Sequence, residues 1–307
     1  MAYTDREDLN YLGDLFLIGA NQTPFLNMIG GMSGGKSYKH FQFPLAQPWA
    51  LSAASQDTQS ETTSAAAGTP TTITRAQDYN TAQIMKYDVA TTYAKQSTSG
   101  EFSGIQVIGP NQPVSDELAF QKAGALRQMA IDIEYSFLRG SFVDVSGAAT
   151  NQKTRGIIEG TSTNAVAAGG GALSKDMIQE LLRDMATNGS QFVNPVIFVN
   201  AFQKQALSDI YGYAPTDRNV GGVNIKQIET DFAMLGVVYA PQMTTSVLQI
   251  ADMSVCSPVF VPYEGQAVSF TDTAVTAAKK GGFWYTQVGL DYGPEEYHGK
   301  ITGLATS

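Results

Sequence analysis

Between Asp116 and Arg139 the chain places Ala119, Ala123, Leu126, Ala130, Ile133 and Phe137 at steps of four, three, four, three and four. All six therefore fall on one stripe of a 3.6-residue helix, while Gln121, Gln128 and Asp132 fall on another face. The stripe predicts burial, with Leu126, Ile133 and Phe137 as its core positions. Pro113 and Ser115 supply a break and an N-cap, Asp116 and Glu117 put negative charge in the first turn, and Arg139 then Gly140 close the other end. The pattern predicts a helix over 115–139 that is roughly 36 Å long at about 1.5 Å per residue.

Shorter patterns lie on either side. Asp8 to Ile18 sets Leu9, Leu12, Phe16 and Leu17 on one side of a short helix that runs into NQTPFLNMIGG. Its apolar surface is too small to fold alone, so this arm must lie along its own body or along a neighbouring copy. Tyr38 to about Leu51 is strand-like, alternating with a two-residue period at its start, and Ile73 to Tyr93 is strand-like again. Between them, Ser52 to Thr72 contains no large apolar residue and cannot bury itself on its own subunit. Two strands leading out to such a segment and back predict the tip of a projecting hairpin. A two-stranded ribbon is marginal in water and needs a partner.

The second half alternates strand and helix. Ser174 caps a helix with Met177, Ile178, Leu181, Leu182 and Met185 on one stripe, ending at Asn188-Gly189. Asn194 to Asn200 is a short apolar run that predicts a buried strand, and AFQKQALSDIYG resumes as helix. Further strands are expected at Asn224 to Ile228, Gly236 to Tyr239, Val247 to Ile250 and Val259 to Val261, with APTDRNVGG as an exposed loop. FWYTQVGLDYG and HGKITGLAT are expected as two strands pairing beside the long helix.

Composition limits the chemistry. The 307 residues are 43% hydrophobic and 15% charged, a folded composition, and the net charge of −9 argues against the basic face that sequence-specific DNA binding needs. The single cysteine, Cys256, sits in the apolar run VCSPVFVP and reads as an inert buried thiol. No signal core or 18-residue apolar run appears, so neither export nor a membrane partner is expected.

Two enzyme motifs overlap in GGMSGGKS. Gly30, Gly35, Lys36 and Ser37 complete the phosphate-binding pattern GxxxxGK[ST], but the alternating YKHFQFPL that follows predicts a strand, and the motif needs a helix there. Gly31, Ser33 and Gly35 match a nucleophile elbow, with Ser33 as nucleophile and His298 as the downstream base, yet Ser33 comes before any core strands have formed. A P-loop nucleotide hydrolase and a serine hydrolase are thus the alternatives to a non-enzymatic reading. In that reading His40 lies on a sheet surface, His298 in a near-terminal loop, and the glycines form a hinge. Phe283, Trp284 and Tyr285 read as core or interface strand, and the adjacent Glu295 and Glu296 as solvated. No cofactor, metal or catalytic residue is expected.

The order of these segments carries a resemblance. Thr23-Pro-Phe25 in the arm, the hairpin insertion, Asn80, Gln83 and Ile84 with a threonine-rich continuation, DIEYSFLRG from Asp132 to Gly140, and the closing YHGKITGL from Tyr297 to Leu304 together resemble the SU10-like group of tailed-phage major capsid proteins. The resemblance implies an α+β, HK97-like capsid fold. Its parts would be an arm (1–37), an extended hairpin loop (38–95, tip 52–72), a peripheral domain built from 96–155 and 264–307 around the spine helix, and an α/β axial domain (156–263). Contacts between subunits would run through Ser52, Gln56, Asp57, Glu61, Thr62, Thr69 and Thr72 at the tip and Leu12, Phe16 and Phe25 in the arm. The partner would be the protein itself, as hexamers and pentamers of an icosahedral head. A portal and a separate scaffolding protein are also implied, room is left for a decoration protein, and packaged DNA would be touched only non-specifically. Assembly would take place in the host cytoplasm.

Overall fold

A computed structural model describes residues 22–46, 49, 51, 54–56, 58–68, 72–73, 75, 77–94, 117–148, 150–212, 226–274 and 277–306. The arm enters as α1 (Pro24–Met28), followed by β1 (Lys36–Ser37), β2 (Gln42–Pro44), the short α2 (Glu61–Ser64), β3 (Tyr79–Thr81), β4 (Gln83–Thr92) and the long helix α3 (Glu117–Arg139). After it come α4 (Ile157–Gly160), β5 (Ala165–Ala167), α5 (Lys175–Thr187), β6 (Pro195–Val199), α6 (Ala201–Tyr211), β7 (Gln227–Glu229) and β8 (Met234–Tyr239). β9 (Leu248–Asp252), β10 (Ser257–Phe260), β11 (Val268–Asp272), β12 (Lys279–Asp291), a 3-10 turn (Glu295–Tyr297) and β13 (Gly299–Thr302) complete the order.

The described strands form two sheets and a ribbon. One sheet runs β1-β10-β12-β11 with β4 on the other edge of β12, the second runs β5-β13-β9-β6-β8-β7, and β2 pairs with β3. β6 shows why its sequence is uninterruptedly apolar. Val196 and Phe198 enter the core that also holds Ile133 and Phe137, whereas Ile197 and Val199 enter the core built on Ile178, Leu181 and Leu248. Both faces of that strand are covered, so alternation has no polar side to show.

Local signals act as the sequence predicts around α5. The Ser174 side chain accepts from the Met177 N–H, and Ile178, Leu181, Leu182 and Met185 are buried. At the other end, Gly189 adopts φ +90, and the Gly189 and Ser190 amides return to the Ala186 and Met185 carbonyls. This bonding pattern satisfies carbonyls that would otherwise be left over at a helix end.

Other expectations change. The stripe on α3 is buried at Ile133 and Phe137, Leu126 is half-buried, and Ala119 and Ala123 are exposed. In the N-terminal half the covered side lies elsewhere: Glu117 and Leu118 are buried, and Lys122 lies over the Phe270 ring of β11. Met129, Leu138 and the carboxylate of Glu134 are buried beside the stripe as well. The N-cap expected at Ser115 and the arm helix from Asp8 to Ile18 lie outside the described residues.

Among the described residues the hairpin pairs near its base and again at one bridge further out. Gln42–Pro44 pairs with Tyr79–Thr81 and a bridge joins Trp49 to Arg75. β4, assigned above to the hairpin (38–95), pairs instead with β12 along ten residues and packs on α3. The reason is local: Met85, Val89 and Thr91 are buried every second or fourth residue on the face toward the body. Likewise Lys36–Ser37, assigned to the arm, joins the first sheet beside β10. β10, assigned to 156–263, belongs to that same sheet, paired with β12.

The last two strands do not pair with each other. β12 lies against α3, where the Trp284 Nε1–H donates to the Lys122 carbonyl at 2.9 Å, while β13 pairs with β5 and β9 in the second sheet. Gly293 at φ +68 and the 3-10 turn redirect the chain between them.

Candidate functional site

The ribbon is stapled to the body at its base. Asn80, fully buried, donates through Nδ2 to the Leu290 carbonyl at 2.8 Å and the Arg155 carbonyl at 3.1 Å, and its Oδ1 accepts from the Arg155 amide at 2.8 Å. The Arg155 guanidinium then pairs with Asp78 at 2.7 Å and lies over the Phe142 ring. Asp144 accepts from Gln42 Nε2 at 2.6 Å and from the Tyr79 hydroxyl at 3.1 Å. These contacts join both ribbon strands to the segment after α3 and to β12, which fixes the direction in which the ribbon leaves the body.

Further out, large apolar side chains meet solvent: Trp49 is 60% exposed, Leu51 69% and Ile73 55%. The sequence reading singled out residues of the tip and did not single out these three exposed flanking positions; alternation alone does not tell a solvent-facing ribbon from a strand of the body. Within the tip, Gln56, Glu61, Thr62 and Thr72 are exposed, and Ser52, Asp57 and Thr69 lie outside the described residues. The tip is not structureless: Ser60 and Thr63 form a reciprocal capping box at the start of α2.

The arm is held by a different device. Phe25 is a core residue of its own subunit, edge-on to Phe198 at 5.2 Å and to Phe137 at 6.5 Å, so between body and neighbour this residue takes the body. Leu12 and Phe16 lie outside the described residues. Pro24 has no N–H, and the next two amides of α1, those of Phe25 and Leu26, donate to the two carboxylate oxygens of Glu134 at 3.0 and 2.6 Å. The two segments Thr23–Phe25 and Asp132–Glu134, far apart in sequence, therefore meet. Burial pushes the Glu134 carboxyl up to about 7 against the opposing effect of the two amide bonds.

Neither enzyme motif assembles a site. Lys36 and Ser37 form β1 rather than a helix start, and the Lys36 ammonium pairs with the buried Asp291 carboxylate at 2.5 Å. Gly35 serves packing, because a Cβ built there would come within 2.1 Å of the Pro258 carbonyl oxygen. Asp252, an acid on β9, is taken up by the main chain: it accepts from the amides of Val193, Asn194 and Ser254.

Ser33 is exposed in a turn. His298 is not a loop residue, as expected above, but fully buried: its Nδ1 accepts from the Asp252 amide at 3.2 Å and its Nε2 bonds the Tyr292 carbonyl at 2.5 Å. With both nitrogens bonded to the main chain it has none free to act as a base, and burial holds its pKa below the usual imidazole range. Glu295 is not simply solvated either. Burial works against its charge, but bonds from Ser162 and Thr163 outweigh that and lower its pKa.

Cys256 is buried, and burial raises its thiol pKa, as expected of an inert cysteine. Among the described residues no cluster of three or more His, Cys, Asp or Glu side chains could hold a metal ion, and no helix is long and apolar enough to cross a membrane.

A family model described as SU10 major capsid protein matches residues 2–305. Among solved structures, the capsid asymmetric unit of cyanophage A-1(L) aligns with a TM-score of 0.65 at 12% identity, over 99% of this chain and 98% of that one. The capsid of a native GTA particle aligns with a TM-score of 0.63 at 12% identity, over 99% and 96%. The phage G structure of major capsid and decoration proteins aligns with a TM-score of 0.56 at 10% identity, over the full length of both chains. At these identities the likeness establishes an HK97-like capsid fold. No curated protein matches the chain.

Proposed function

The chain belongs to the SU10 major capsid protein family, and on that basis we propose that it builds an icosahedral phage head by self-association, as hexamers and pentamers, and performs no catalysis. The ribbon lies over a neighbouring copy and supplies contacts that exist only between subunits. Assembly takes place in the host cytoplasm with a separate scaffolding protein and a portal, and the finished shell encloses DNA without sequence-specific contact. A decoration protein is a further partner; the phage G structure contains one.

The observation that carries this reading is the ribbon itself. It is anchored at Asn80 yet carries Trp49, Leu51 and Ile73 largely in solvent. Covering such a side chain is worth about 1.5 to 3 kcal/mol, and a contact of that size repeated at every copy decides whether a shell forms. The test is to replace 52–72 by a short Gly-Ser turn and compare circular dichroism, thermal melting and particle size by light scattering with the parent. A folded, melting-competent subunit that forms no shells is expected. Unchanged shells would remove the tip, residues 52–72, from the assembly contacts, and loss of the helical signal would make the tip part of the fold.

A further inference from the structure

The arm's attachment has a feature that shell formation by itself does not require. Thr23, at the N-cap position of α1, makes no side-chain capping bond, and the helix is capped instead by Glu134, 108 residues from Leu26. The Glu134 side chain is fully buried, and the buried Met129, Ile133, Phe137 and Leu138 flank it along its own helix.

Among the described residues no cation pairs with it. α1, which bonds it, and β6, whose Phe198 packs on Phe25, carry no titratable side chain. On β4, Lys86 pairs with Asp88 and the Tyr87 hydroxyl donates to Asp132. On α4, Glu159 is taken by the Phe142 amide. On β12, Asp291 is taken by Lys36, and Lys279, Lys280 and Tyr285 make no bond to Glu134. On α3 itself, Arg139 lies over the Tyr135 ring, Lys122 faces Asp272, Glu117 accepts from Gln121, and Arg127 is exposed.

We propose that Glu134 is a proton-operated latch between arm and body: with a proton taken from solvent it holds α1 down, and on losing that proton it loosens the arm. The neutral acid weakens one of the two amide bonds, because a protonated oxygen accepts poorly, but it leaves no charge buried without a cation. The ionised form keeps its two amide bonds but gives up the water that its remaining lone pairs would hold, and it regains that water only when α1 lifts.

The direction follows from linkage. Glu134 titrates at about 7 when the arm is docked, against an ordinary value of 4.5. A carboxyl raised in this way favours the docked state most fully at low pH, and its contribution is lost as pH rises through 7. Between pH 6 and pH 8 the docking equilibrium should weaken about tenfold. Acid therefore tightens the docking of α1 and a rise in pH weakens it, against the constant hold of the buried Phe25 and Leu26.

The experiment is amide hydrogen exchange on the full chain, following the peptide from Gln22 to Gly30 at pH 6 and pH 8 after correction for the intrinsic exchange rate. Opening about tenfold more frequent at pH 8 is expected for the parent, and Glu134→Gln, which carries no charge at either pH, should open equally at both. A parent without pH dependence, or a variant that keeps it, overturns the proposal. Should the glutamine variant not fold, the Glu134 carboxyl carbon can be titrated by NMR in the parent: a midpoint near 7 upholds the latch and one below about 5 rejects it.

Discussion

His298 illustrates how a single side chain changes meaning between sequence and structure. Beside Ser33 it completes a hydrolase pattern, whereas in the fold it is a neutral, buried imidazole that ties the Asp252 amide to the Tyr292 carbonyl. Its folded pKa lies below the ordinary 6.5. The unfolded chain therefore binds the proton more readily, and stability should fall as pH drops below 6.5. Glu134 acts in the opposite sense, adding stability as pH falls through 7. Thermal melts from about pH 5 to 8 on the parent and His298→Gln separate the two: the variant should be less stable at neutral pH by about 2 kcal/mol through lost buried bonds, with a shallower loss on acidification. An equally steep acid loss in both proteins would mean that His298 is not the group responsible.

At the scale of elements, the stripe that the sequence predicts on α3 is unevenly covered. Its C-terminal half is core, with Ile133 wholly buried, and its N-terminal half presents Ala119 and Ala123 to solvent. Ile133→Asp would leave an unpaired charge in the core and should cost several kcal/mol out of a total of about 5 to 15, giving insoluble protein. Ala123→Asp, on the same stripe, should leave the subunit soluble with a melting temperature close to the parent's. Soluble fraction and melting midpoint of the two variants decide the matter, and equal damage at both positions would show the whole stripe to be buried. The helix itself was legible because its period and C-terminal stop signals are local. How much of the stripe is covered was not, because coverage depends on β4, β12 and α1, which come from three other parts of the chain.

For the whole molecule, assembly and folding should separate at the ribbon. Trp49→Ser combined with Leu51→Ser removes two side chains that are mostly exposed in the single subunit. The melting temperature should therefore hardly move while shells fail to form, as read by light scattering and negative-stain microscopy. A large drop in stability would place these residues in the subunit's own core.

Whatever depends on neighbours along the chain was already settled by the order of amino acids: the long helix, the capped α5 with its glycine stop, the all-apolar β6, and a tip too polar to bury. The order of those segments was also enough to identify the capsid family. Where distant segments meet was settled only by folding in three dimensions. Packing moved β4 from the hairpin to the sheet edge beside β12, separated β12 from β13, placed Phe25 in the core, and set Glu134 under the arm. Periodicity states which side of an element is apolar but not what will cover it. A lone carboxylate reads as solvated until two unbonded amides of a helix start are brought against it across 108 residues of chain.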